Sequence, residues 1–158
     1  MLSFFFLFRL HISDLIAFTA TQLQPSLTIG FILAHAQQVL IERFNFIASM
    51  RKILPTTAAI CRHTDIVHIC PHSEGKHKGT RYVWVHLKIR PWGQELPIQC
   101  PKCACIRTWL STREALDGGI FACEHCGHRL TFSAPQQANN WLGGAVFGGR
   151  WLVVEHLA

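Results

Sequence analysis

The sequence predicts an α+β chain: a strand-rich small domain built round four cysteines, preceded by an apolar, amphipathic helical segment. Three observations carry this. Two C-x-x-C pairs, Cys100/Cys103 and Cys123/Cys126, are separated by nineteen residues. Stretches after residue 64 alternate apolar and polar side chains with the period of two that a pleated strand imposes. Composition also changes near residues 49–55. Eight of eleven Phe precede residue 47, whereas all seven Cys and all five Trp follow residue 60. The expected pieces are therefore residues 1–50 and residues 51–158, with the cysteine cluster spanning about 96–135.

At 158 residues, 49% hydrophobic and 15% charged, the chain has room for one domain and an appendage. It lacks the low hydrophobicity and high net charge of a disordered chain, and the compositions of collagen and coiled coils. Residues 1–50 are neutral, with Arg9 and Arg43 against Asp14 and Glu42. Thirteen basic and seven acidic residues lie in 51–158, so the whole formal charge of +6 belongs there.

The front segment is read first for targeting. Residues 3–8 are apolar, but no basic residue precedes them and Arg9, His11 and Asp14 follow, which does not suit a secretory leader. Residues 15–41 carry no Asp, Glu, Lys or Arg, yet Thr19, Thr21, Gln22, Gln24, Pro25, Ser26 and Thr28 make a polar middle poor for spanning. Membrane association of 1–50 is thus a lesser alternative, and Met50 is an alternative start. Residues 31–50 read as one amphipathic helix: Leu33, Ala36, Leu40, Phe44 and Ile47 recur at steps of three and four, opposite His35, Gln38, Glu42, Asn45 and Ser49. The apolar stripe is expected to pack on the rest of the protein.

Cys100-Pro101-Lys102-Cys103 and Cys123-Glu124-His125-Cys126-Gly127 are the strongest motif. Two residues between thiols let a tight turn aim both sulfurs at one ion, and two such turns complete a four-thiolate site. Gly127 stands where the chain needs positive φ to leave the turn. Residues 96–99 enter the first turn and 106–110 leave it; Asp117-Gly118-Gly119 signals a hairpin turn. Leu130 and Phe132 alternate with Arg129 and Thr131 on the way out. Over about residues 96–135 this resembles the zinc-ribbon family. The resemblance implies that Cys100, Cys103, Cys123 and Cys126 hold one zinc ion, and it leaves function open, because such ribbons serve many roles. Two disulfides or a redox C-x-x-C are the alternatives. The odd cysteine count and the lack of a leader favour zinc in an intracellular protein, cytoplasmic or nuclear.

A second, less regular set comprises Cys61, His68, Cys70 and His72. Residues 65–70 alternate as a strand, which would put His68 and Cys70 on one face and within reach of a second metal. Residues 82–90 give the cleanest alternation. Val83, Val85, Leu87 and Ile89 are expected in the core. Tyr82, Trp84, His86, Lys88 and Arg90, with Lys76 and Lys78 just before them, are expected as an exposed aromatic and basic face, the mix that binds single-stranded nucleic acid. Gly143-Gly144 and Gly148-Gly149 precede a closing strand over 151–156, read as a hairpin.

Catalytic constellations are scarce. H-E-x-x-H and G-x-S-x-G are absent. A His-Asn-His nuclease reading would draw on His125, His128, Asn139, Asn140 and His156, whose order relative to the cysteine pairs fits that family poorly. The sequence therefore predicts a non-catalytic zinc-binding module with nucleic acid as the favoured partner. A structural or protein-interaction ribbon is the alternative, and a nuclease or a fragment of a larger nucleic-acid enzyme comes third.

Overall fold

The computed structural model describes residues 13–73, 76–106, 109–115, 118–136 and 140–157. Strands β1 (Leu15–Phe18), β2 (Ile66–Pro71) and β3 (His77–Val85) precede the cysteine region, β4 (Trp109–Ala115), β5 (Gly118–Cys123) and β6 (Arg129–Ser133) lie within it, and β7 (Trp141–Val146) and β8 (Gly149–Leu157) close the chain. They form two antiparallel sheets, a five-stranded one ordered β1-β2-β3-β8-β7 and a three-stranded one ordered β4-β5-β6. Helices α1 (Pro25–His35), α2 (Phe46–Ile53) and the single turn α3 (Ala58–Cys61) precede β2. The strand-rich α+β expectation is met.

Register explains the main core. Tyr82 of β3 lies opposite Ile66 of β2 and Val153 of β8, and Trp84 opposite Trp151, so these five side chains share one sheet face. Phe31, Phe46, Met50, Ile53, Leu54 and Ile60 cover that face. The opposite face carries Val83, Val85 and Leu152, against which Trp92 and Trp141 pack. β1 pairs with β2 from Leu15 opposite Ile69 to Phe18 opposite Ile66, so part of the front segment is an edge strand of the sheet. Residues 49–55 run through α2 and the turn after it, with Met50, Ile53 and Leu54 fully buried.

Two expectations are corrected here. The helix expected over 31–50 is broken. α1 runs into a wider turn at 36–41, in which the Glu42 N–H donates to Gln37 O at 2.9 Å, and Arg43 then takes φ 56°. Asn45 starts α2 afresh: its side-chain oxygen accepts from the Ile47 and Ala48 N–H groups at 3.0 and 3.3 Å. The expected stripe is not the buried face on either side of the break. Leu33, Leu40, Phe44 and Ile47 are exposed, and Phe31, Phe46 and Met50 are buried instead.

The strand expected over 82–90 ends at Val85. His86 and Arg90 bond to each other's backbone across a tight loop, which leaves Leu87 and Ile89 exposed. The face expected to meet solvent is the centre of the larger core: Tyr82 is 1% and Trp84 0% exposed. Both alternating sets are apolar enough to bury, and the helices preceding β2 decide which receives the larger cover.

One site inside β3 and one in the turn that follows it give two predictions. The Tyr82 hydroxyl is buried with no hydrogen-bond partner among the described residues, and burial above all, then Glu155 and Cys70, pushes its pKa up to about 12. A buried unpaired hydroxyl is costly. Tyr82→Phe is therefore expected to raise stability by about 1 kcal/mol, read as a higher melting temperature. In the turn Pro91–Gly93, Gly93 has φ 79°, and a Cβ there would lie 1.9 Å from Val83 Cγ1. Overpacking at this site is expected to cost about 1–3 kcal/mol in Gly93→Ala, measured by denaturant titration. The β7–β8 hairpin matches expectation. Val146 pairs with Gly149 across Phe147 and Gly148, both at positive φ, the backbone that two-residue hairpins prefer.

Candidate metal centre

Two backbone turns of the same shape carry the cysteines. In the first, the Ala104 N–H donates to Cys100 O at 2.8 Å and the Cys100 N–H to Cys105 O at 2.9 Å. In the second, the Gly127 N–H donates to Cys123 O at 2.9 Å and the Cys123 N–H to His128 O at 2.8 Å. Ala104 and Gly127 occupy equivalent places and both turn left-handed, at φ 57° and 70°. Glycine takes this conformation without the Cβ penalty that alanine bears. Gly127 thus plays the part expected of it.

The sheet β4-β5-β6 positions the turns. β5 ends on Cys123 and β6 begins two residues past Gly127, so the second turn is a hairpin tip. A bridge between Gln99 and Ile106 closes the first turn, and no regular strand spans 96–99. Phe121 and Phe132 meet edge to face at 5.5 Å and are the buried aromatic side chains described in this sheet. Among the described residues this apolar core is small, and the four cysteines are the side chains that bring the two turns together.

The four Sγ atoms lie within 4.8 Å of one another. Cys100 Sγ is 3.7 Å from Cys126 Sγ, and Cys103 Sγ is 3.6 Å from Cys123 Sγ. A tetrahedral ion with metal–sulfur bonds of about 2.3 Å would set its sulfurs about 3.8 Å apart. Disulfide sulfurs lie about 2.05 Å apart, and all seven cysteines are unbridged. Cys100 and Cys123 are buried, while Cys103 and Cys126 are half-buried. The Cys105 backbone lowers the Cys103 pKa, but burial and the Sγ atoms of Cys126, Cys123 and Cys100 together raise it above the usual thiol value. A divalent cation reverses that balance by favouring thiolates.

No protein-family model, curated protein or solved structure matches the chain.

Cys100, Cys103, Cys123 and Cys126 are the metal-competent cluster among the described residues. Cys61, His68, Cys70 and His72 do not converge. Cys61 is buried with its thiol directed at Thr57 O, and burial pushes its pKa up to about 11. His68 is sequestered by Asp14, with Nε2 to Oδ1 at 2.7 Å, and by Phe46, stacked at 3.8 Å. Cys70 faces the Lys78 carbonyl, and His72 is exposed in the loop beyond β2.

The residues expected to bind nucleic acid do not form one surface. Tyr82 and Trp84 are interior. Lys78 pairs with Glu155 at 2.9 Å at the start of β3, whereas Lys88 lies in the loop after its end. Lys76 is exposed just before β3, and His86 is half-buried beside Trp84 at 5.4 Å. Arg90 is buried against Asp65, a residue whose role the sequence did not single out. Asp65 is fully buried; Arg81 Nε donates to its Oδ2 at 2.8 Å, and Arg90 Nη2 makes an ion-pair contact with its Oδ1 at 2.7 Å. An acid directly before an apolar strand was the available signal.

Of the histidines and asparagines weighed for a nuclease, His125 and Asn140 are exposed and His128 is half-buried. Asn139 and the His156 side chain lie outside the described residues. No helix among the described residues is long and apolar enough to cross a membrane.

Proposed function

We propose that Cys100, Cys103, Cys123 and Cys126 bind one zinc ion as thiolates, and that the chain is a non-catalytic zinc-binding module of the ribbon type. The observation that carries this is the sulfur geometry. Twin turns bring four Sγ atoms within 4.8 Å, at separations close to those of a tetrahedral thiolate site. Zinc would supply the cross-link between the two cysteine turns. Four protein ligands leave no open position for water, which is the mark of a structural rather than a hydrolytic centre. All-sulfur ligation favours a borderline-soft ion over magnesium or calcium.

The structural or interaction reading of the ribbon is preferred to nucleic-acid binding through the face of β3, because Tyr82 and Trp84 of that face are core residues. Cobalt titration of chelator-treated protein tests the metal site. Saturation at one equivalent, with the intense absorption of a tetrahedral four-thiolate cobalt centre, is expected, and its displacement by zinc. Binding should weaken as pH falls, since protons compete for the thiolates. A spectrum with octahedral character, or no binding, contradicts the proposal.

A further inference from the structure

A cleft of about 420 Å³ opens where the five-stranded sheet meets the approach to the first cysteine turn. Its size is that of small-molecule sites. Its walls differ in character. Arg62, Lys88 and Arg90 supply positive charge on the sheet side; Trp109, Ile98 and Leu96 supply an apolar wall on the cysteine side. Glu95 is the acidic residue among the lining side chains.

The positive charge is only partly compensated. Arg90 is balanced by Asp65, but Arg62 and Lys88 are exposed and have no carboxylate partner among the described residues. Arg62 is held over the Trp84 ring at 5.9 Å, which keeps its guanidinium at the cleft. The pKa of neighbouring His86 is lowered by burial first and by Arg62 next, with Lys88 adding to the effect. On the other wall, Trp109 Nε1 donates to Pro97 O at 2.8 Å, fixing the indole as part of the cleft lining. Ile98 is 67% exposed, a large apolar side chain left open beside it.

We propose that this cleft binds a nucleotide, its base against the Trp109 and Ile98 wall and its phosphate between Arg62 and Lys88. A flat ring joined to an anion is the chemistry that satisfies both walls: aromatic stacking is tolerant of base identity, and paired basic side chains suit phosphate oxygens. Arg62 and Trp109 were not among the residues expected from sequence to bind nucleic acid. They join Lys88 through the fold. The site is independent of the metal's identity, but Trp109 and Ile98 flank the first cysteine turn, so each sample's zinc content is measured alongside.

The experiment titrates the zinc-loaded full chain with AMP, with a short oligo-dT and with inorganic phosphate, following tryptophan fluorescence. Saturable quenching by AMP or oligo-dT is expected, with phosphate alone at least tenfold weaker. A tighter oligo-dT response assigns the site to single strands; equal or weaker binding assigns it to free nucleotides. Arg62→Ala with Lys88→Ala should weaken binding at least tenfold while zinc content and far-ultraviolet circular dichroism stay unchanged. Trp109→Phe should retain binding that Trp109→Ala loses, read by calorimetry. The proposal is overturned if neither AMP nor oligo-dT binds at millimolar concentration, or if the Arg62/Lys88 variant binds as well as the parent.

Discussion

The double substitution Cys100→Ser, Cys123→Ser is expected to abolish zinc binding and unfold the β4-β5-β6 sheet while leaving the five-stranded sheet largely in place. Each variant cysteine belongs to a different turn and to a different close sulfur pair, Cys100 with Cys126 and Cys123 with Cys103. Both turns therefore lose a ligand. Structural zinc contributes about 10–16 kcal/mol in small zinc domains near neutral pH. Phe121 and Phe132 cannot replace a contribution of that size. The larger core is separate: Trp84, Trp151, Tyr82, Phe31 and Met50 are packed between the five-stranded sheet and the helices. Amide exchange should therefore show lost protection in residues 118–133 and retained protection in β3 and β8. Cys105→Ser is the control, since Cys105 takes part in the first turn through its backbone oxygen. It should keep zinc. Full protection of β5 and β6 in the double variant would show that the sheet does not need a metal.

Asp65→Ala is expected to have the other large effect, a loss of about 3–5 kcal/mol, because it strands a buried arginine. Asp65 is fully buried between two guanidinium groups, and the Arg90 side chain is 10% exposed. Arg90 also donates from Nη1 to Cys61 O at 3.2 Å, tying the loop after β3 to the end of α3. Removing the carboxylate leaves that charge in the interior without a counter-ion. The loss is a large part of the roughly 5–15 kcal/mol that holds a domain folded. Arg81→Ala should cost far less, since the Arg81 side chain is 45% exposed and its charge interactions are screened by water. Asp65 and Arg90 should also couple: the double variant should lose less than the two single losses combined. Urea titrations of the parent, the three single variants Asp65→Ala, Arg81→Ala and Arg90→Ala, and the Asp65/Arg90 double variant measure this. Equal losses in Asp65→Ala and Arg81→Ala would contradict the assignment of the buried pair.

What the sequence showed depended on the range of the interactions involved. The cysteine turns were legible because their geometry is local: two residues between thiols and a glycine at Gly127 specify the turn almost alone. Leu130 and Phe132 were legible for the same reason, since period-two alternation places Phe132 inward and leaves Arg129 and Thr131 exposed. The faces of β3 were not. Val83 and Val85 alternate with Tyr82 and Trp84, all apolar enough for a core, and the larger cover comes from residues 31–60, which no local pattern reveals. The helix expected over 31–50 failed because a regular three-and-four spacing continues across Arg43 although the backbone does not. Asn45, a residue type that caps helices, marked the restart. Asp65 went unrecognised as a buried ion because its partners, Arg81 and Arg90, lie 16 and 25 positions further along and are placed by strand register and the following loop. The cleft residues Arg62 and Trp109 likewise meet only after both sheets are in place.

Zinc content is the most direct test of the central claim. Elemental analysis of the full chain, purified without added metal and dialysed free of loosely bound ions, should give about one zinc per chain. A content near zero in protein whose β5 and β6 amides keep their exchange protection would contradict the four-cysteine zinc centre.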